Sequence, residues 1–173
     1  AEGTILKKWR VGDFIPTELT CYGQDFGFSE DLSTLVKISV DKNARKVWVK
    51  EIFGQKSLNT SQMYTRNKAE CGLDLIICDN SEPRLINELK VLGLNIKPTI
   101  KKKGSILSGI ALMQDYELII DRNSHGIIRE INNYVWKDKG EVPIDKFNHY
   151  IDAIRYAMMY LIQGINSGVY TIR

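Results

Sequence analysis

Near Asn59 the hydrophobic period of this chain changes from the two-residue repeat of strands to the three-to-four-residue repeat of helices, and that change restricts the folds open to it. Before it, strand-like runs cover Thr20 to Phe26, Thr34 to Val40 and Lys46 to Phe53, the last two joined by the turn-forming stretch Asp41 to Arg45. They read as an antiparallel meander. After it, strands and helices alternate. A polar helix over Asn59–Cys71 precedes the apolar strand LDLIICD, which ends at Asp79; a helix over Glu82–Leu92 then stops at Gly93. The rhythm continues with a strand at Asn95–Ile100, a helix at Ser105–Asp115, a strand at Glu117–Asp121 and a helix at Ser124–Asn132. A meander followed by this alternation implies an α/β fold with a mixed sheet and helices on its faces.

The segment Asn133–Lys146 has the pattern of a β-hairpin turning at Asp138–Gly140. A last helix is expected from Asn148, as N-cap, to about Gln163, with Ile151, Ile154, Met158, Leu161 and Ile162 as its apolar stripe. Residues 1–19 read as an extended lead-in from a preceding domain, and 20–173 as a single domain. A chain of 173 residues is long enough to bury about 70% of the surface of its unfolded form. Cys21, Cys71 and Cys78 lack the spacing of a zinc site or a disulfide framework, so a reducing, intracellular compartment is expected. No apolar run is long enough to span a bilayer. The net charge of +3 does not by itself demand a nucleic-acid partner.

Three carboxylates stand where their elements could deliver them to one place. Asp25 ends the first strand, Asp79 ends an otherwise apolar strand, and Asp152 lies beside the buried stripe of the last helix, three residues after His149. If the strands of Asp25 and Asp79 are neighbours, the last helix can bring Asp152 across them. Three clustered carboxylates repel one another, and divalent cations stabilise the arrangement. Oxygen-only ligands suit Mg²⁺ or Mn²⁺, and two such ions about 3.5 to 4 Å apart can drive phosphodiester hydrolysis. Each residue also has a structural reading: Asp25 as a turn residue before Gly27, Asp79 as a helix cap, Asp152 as an ion-pair partner of Arg155 or Arg129. Asp31 is either a further acid at this site or a loop aspartate. His149 can ligate a metal, shuttle a proton or serve as a hydrogen-bonding group at the helix start. Glu82, before Pro83, reads as a first-turn helix acid, His125 as a surface residue, and the three tryptophans as packing groups.

Lys101, Lys102 and Lys103 lead through Gly104 to Ser105 at a predicted helix start. Lysine runs are mostly solvated surface, but lysines and free helix N–H groups together make a phosphate clamp, with Ser105 as N-cap or phosphate contact, and in that reading the loop binds the DNA backbone.

The order GQDFG, ICDNSEP, KGSILSGI and YVWKDKGEVPIDKFNHYIDAIRY resembles the nuclease domain of tailed-bacteriophage terminase large subunits, over nearly the whole chain. The resemblance implies an RNase H-like fold and a Mg²⁺- or Mn²⁺-dependent endonuclease that cuts double-stranded DNA concatemers during genome packaging in the host cytoplasm. It matches Asp25, Asp79 and Asp152 to the family's catalytic acids. Asp31 and His149 match positions of additional site groups in some members. Its implied partners are double-stranded DNA, an ATPase domain of the same protein, the portal and the small terminase subunit, with no membrane. Two features depart from the family's full-length pattern: no GxxxxGK[ST] loop is present, and Asn80 stands where a small residue is common. Other RNase H-like enzymes, such as junction resolvases or transposases, need the same acids. A non-catalytic DNA-binding module of the packaging motor is the alternative from a different class.

Overall fold

A computed structural model describes residues 3–164 except positions 28, 101 and 139. Its centre is a seven-stranded mixed sheet built from β1 (Trp9–Val11), β2 (Leu19–Asp25), β3 (Leu32–Asp41), β4 (Lys46–Lys56), β5 (Ile76–Cys78), β6 (Ile96–Pro98) and β7 (Glu117–Ile120). The spatial order is β1-β7-β4-β3-β2-β5-β6. The meander β2–β3–β4 is antiparallel, as its turn chemistry requires, and β5, β6, β7 and β1 add in parallel on either side. The expected mixed α/β architecture is therefore present, and β2 and β5 are neighbours.

Five helices cover the two faces: α1 (Thr60–Cys71), α2 (Pro83–Leu92), α3 (Ser105–Gln114), α4 (His125–Asn133) and α5 (His149–Gln163). Alternation along the strands separates two cores. Cys21, Val36, Ile38, Val47, Ile77 and Ile120 pack with α3, α4 and α5, whereas Tyr22, Leu35, Ile76 and Cys78 pack with α1 and α2. α5 lies closest to the sheet. Its residues Ile151, Ala153, Ile154, Ala157 and Met158 are fully buried, and a Cβ at Gly23 of β2 would collide with the Ala153 carbonyl oxygen. Glycine at position 23 is what lets the helix rest directly on the strand.

Local chemistry sets the element ends. Asn59 caps α1 through a capping box in which its side chain accepts from Gln62 N–H and the Gln62 side chain accepts from Asn59 N–H. Pro83 starts α2, with Glu82 at the N-cap position and making no side-chain cap bond. α3 begins differently from expectation: Gly104, in the left-handed region, is the N-cap, and Ser105 is the first helical residue.

The segment read as an extended lead-in contributes to the folded unit: Ile5 and Leu6 are buried, and β1 pairs with β7. The expected hairpin over 133–146 is present in short form, as the antiparallel bridge Trp136↔Pro143 with backbone bonds from Lys137 to Val142, from Ile144 to Val135 and, at its turn, from Gly140 to Lys137. Val135 is also bridged to Thr4. His125 is exposed, while Trp48 is buried and Trp9 and Trp136 pack against the core.

Candidate metal centre

The sheet brings Asp25 and Asp79 side by side. Gln24 pairs in parallel with Cys78, and Asp79 N–H donates to the Gln24 carbonyl at 3.3 Å, so both aspartates leave neighbouring strand ends. By strand alternation both lie on the α5 face, because Gly23 and Ile77 two residues earlier do. Asp152, in the first turn of α5, completes the set: all three line one cleft of about 580 Å³, together with Lys102, Gly104, Ser105 and Arg155.

These acids are held in surroundings that disfavour their charges. Asp25 and Asp79 are each only 8% exposed. Burial raises the Asp25 pKa, Asp79 raises it further, and His149 and Arg155 oppose the rise. Burial, with a contribution from Asp25, pushes Asp152 up to about 6 despite its ion pair with Arg155 at 3.3 Å. Asp79 accepts from Ser81 N–H at 3.1 Å and from its hydroxyl at 2.8 Å. That turn orients the carboxylate, and the helix-cap reading of Asp79 is not realised. The Tyr156 hydroxyl lies 3.5 Å from Asp25 Oδ1.

His149 Nδ1 stands 3.6 Å from Asp25 Oδ2, and the nearby Asp25 carboxylate raises the imidazole pKa against the opposing effect of burial. Asp31 is exposed and opens instead into an adjoining cleft of about 410 Å³, which His149 also lines, with Lys56 and Arg129. His149 thus lines the cleft of Asp31 while it faces Asp25. Of the basic loop, Lys102 and Ser105 reach that cleft, Lys103 is exposed and does not line it, and Lys101 lies outside the described residues.

An oxygen-only donor set of three partly desolvated carboxylates fits a hard divalent cation such as Mg²⁺ or Mn²⁺. Among the described residues no three candidate ligands already close around a single point. The chemical fit lies in the donor atoms and in the repulsion that a cation would relieve.

Two further carboxylates matter and were not singled out in the sequence. Glu130 of α4 is 5% exposed and accepts the backbone N–H groups of His149, Tyr150 and Ile151 at 3.1, 2.8 and 3.0 Å, capping α5 from outside. Burial pushes it up to about 7, against those bonds. Glu51 of β4 does the same for α4, accepting from Gly126 and Ile127 N–H, and also accepts from the Tyr150 hydroxyl. Asn148, at the N-cap position, makes no side-chain cap bond. The only available signal in the sequence was an acid in each of two elements facing α4 and α5, which no local spacing reveals.

A fold and a cleft of this kind define an RNase H-like domain with a carboxylate site. The Terminase RNAseH like domain family model matches residues 25–159, and the chain belongs to that family. It is 35% identical over 147 residues to the terminase large subunit of Bacillus phage SPP1, covering 78% of this chain and 34% of that protein. The chain therefore spans about a third of that curated relative. The solved nuclease domain of the SPP1 large terminase g2p with bound Mn is 27% identical, with a TM-score of 0.72 over 90% of this chain and 97% of that one. The P22 large terminase nuclease domain superposes with a TM-score of 0.75 at 16% identity, covering 94% and 93% of the two chains. The nuclease of thermophilic phage G20c with bound magnesium gives 0.63 at 19%, covering 91% and 97%.

Proposed function

We propose that this chain is a divalent-metal-dependent endonuclease acting on double-stranded DNA, the nuclease part of a phage large terminase that cuts concatemers during genome packaging. The observation that carries this reading is the single cleft lined by Asp25, Asp79 and Asp152, with Lys102 and the start of α3 on its wall. Membership of the terminase family and likeness to a nuclease domain with bound Mn support it.

Asp25, Asp79 and Asp152 are the residues that would hold Mg²⁺ or Mn²⁺, Asp25 and Asp79 for one ion and Asp152 helping with a second. Two such ions activate water and stabilise the departing oxygen of a phosphodiester. His149 orients the Asp25 carboxylate and is placed to carry a proton at the cleft edge. Asp31, beside His149 in the adjoining cleft, is the further acid at the rim of the metal site. Lys102 and Ser105 contact the DNA backbone, a sequence-independent interaction. Lys101 and Lys103 belong to the same basic loop and add to its positive charge.

In the full-length protein an ATPase domain precedes this unit and residues 1–19 lead from it into the sheet; the portal and the small terminase subunit are the further partners, in the host cytoplasm. The deciding experiment incubates supercoiled plasmid with the protein and Mn²⁺ at low salt, with and without chelator. Nicked and linear products that disappear with chelator and with Asp79→Ala are expected. An intact plasmid with the unmodified protein, or equal cutting by Asp79→Ala, would overturn the assignment.

A further inference from the structure

Arg155 stands out among the charged groups of the cleft. Its side chain is 5% exposed, one of its terminal nitrogens donates to Asp152 Oδ1 at 3.3 Å, and its Nε is the one buried side-chain nitrogen or oxygen among the described residues with no hydrogen-bond partner. Leaving a guanidinium donor buried and unused costs free energy, unless a further acceptor occupies the site during function. The wall opposite is prepared for such an acceptor. α3 starts at Gly104 with no side-chain cap; Ser105 N–H is taken by the Lys102 carbonyl at 3.0 Å, while Ile106 and Leu107, which also line the cleft, stand at first-turn positions whose N–H groups have no intrahelical acceptor. α3 also makes room for the arginine: a Cβ at Gly109 would lie 2.6 Å from Arg155 Cδ and 2.7 Å from its Cγ. A mid-helix glycine is otherwise unfavourable relative to alanine.

We propose that Arg155 changes partners during the reaction: it neutralises Asp152 while the acids are without metal, and turns its guanidinium to a DNA backbone phosphate seated against the start of α3 once a cation takes over Asp152. This rests on the nuclease reading and assigns the phosphate contact at that site. Arginine suits the exchange, because its planar fork can serve a carboxylate and a phosphate with separate N–H groups.

Two variants test it, each checked for folding by thermal melting. Arg155→Met keeps most of the buried stem without the charge, and Gly109→Ala keeps the arginine but displaces it while improving intrinsic helix propensity. Binding of a fluorescently labelled DNA duplex is measured in Ca²⁺, and Mn²⁺ binding by calorimetry without DNA. Both variants should bind the duplex at least about tenfold more weakly, and Arg155→Met should bind Mn²⁺ as tightly as the unmodified protein or a few-fold more tightly. Unchanged duplex binding by a folded variant overturns the proposal, as does weaker Mn²⁺ binding by Arg155→Met. If Arg155→Met does not fold, Gly109→Ala decides, and if that variant too loses its fold, the partner exchange is rejected in favour of a structural arginine. Plasmid cutting by the unmodified protein, run alongside, separates failure of this assignment from failure of the nuclease reading.

Discussion

His149 and Asp25 face each other across the seam between α5 and β2, Nδ1 to Oδ2 at 3.6 Å, and each moves the other toward its charged form. A cation bound to Asp25 competes with this pairing. His149→Ala is therefore expected to slow Mn²⁺-dependent nicking by about a hundredfold or more, and to alter the dependence of the nicking rate on pH between 6 and 8. Rates measured across that interval check both effects. An unaltered rate and profile would reduce His149 to a packing group.

Asp25→Asn should reduce nicking to background while leaving the metal-free protein no less stable. Burial and the neighbouring Asp79 already disfavour the Asp25 charge, so an amide of the same shape removes an unfavourable term. Thermal melting in chelator and plasmid cutting in Mn²⁺, measured on the same preparation, test the two halves. A large fall in melting temperature would make Asp25 a structural residue first.

Glu130 holds the start of α5 through three backbone N–H bonds. Glu130→Ala should cost about 2–4 kcal/mol in urea unfolding and lower cutting, because His149 and Asp152 both ride on that first turn. Glu130→Gln keeps a carbonyl acceptor and should recover most of the stability. Equal loss in the two variants would contradict the capping role.

The metal-free protein should lose stability as pH rises from about 4.5 to 7.5. Glu130, pushed up to about 7, and Asp152, pushed up to about 6, bind protons more tightly folded than unfolded. His149 also has a raised pKa, and its contribution is lost as pH rises through that value. All three act in one direction, with Glu130 alone worth on the order of 3 kcal/mol across its window. Melting curves in chelator should show a falling midpoint that flattens above pH 7, a shallower slope for Glu130→Gln, and a rise on adding Mn²⁺ at pH 7.5. A midpoint independent of pH would refute this.

Much of this architecture was legible because its signals are local. Asp79 could be picked out as the charge ending LDLIICD, and Asp152 by its place beside an apolar helical stripe. The adjacency of β2 and β5 then sets Asp79 beside Asp25, and the seat of α5 on Gly23 brings Asp152 to them. What escaped depends on distant contacts. β1 joins the sheet by pairing with β7, more than a hundred residues on, and three residues are too few to carry a periodic signal. Glu130 caps the helix after its own and Glu51 caps one from a strand, so no capping spacing surrounds them. The register shift between Leu35 and Val36 re-phases β4, a bulge that alternation alone could not locate. Asp31 is close to Asp25 along the chain, yet it lines the adjoining cleft with His149 and not the cleft of the three acids.

The direct seat of α5 on Gly23 has a consequence for how finely the cleft is dimensioned. Asp25 follows the glycine by two residues, and Asp152 immediately precedes the alanine whose carbonyl rests there. The span between the two carboxylate-bearing backbones is thus gauged by a main-chain hard stop, like the jaws of a caliper closed on a shim. Side-chain rotations can aim the oxygens within the opening, but they cannot close it further. A cation bound between the two carboxylates would meet an opening of fixed minimum width.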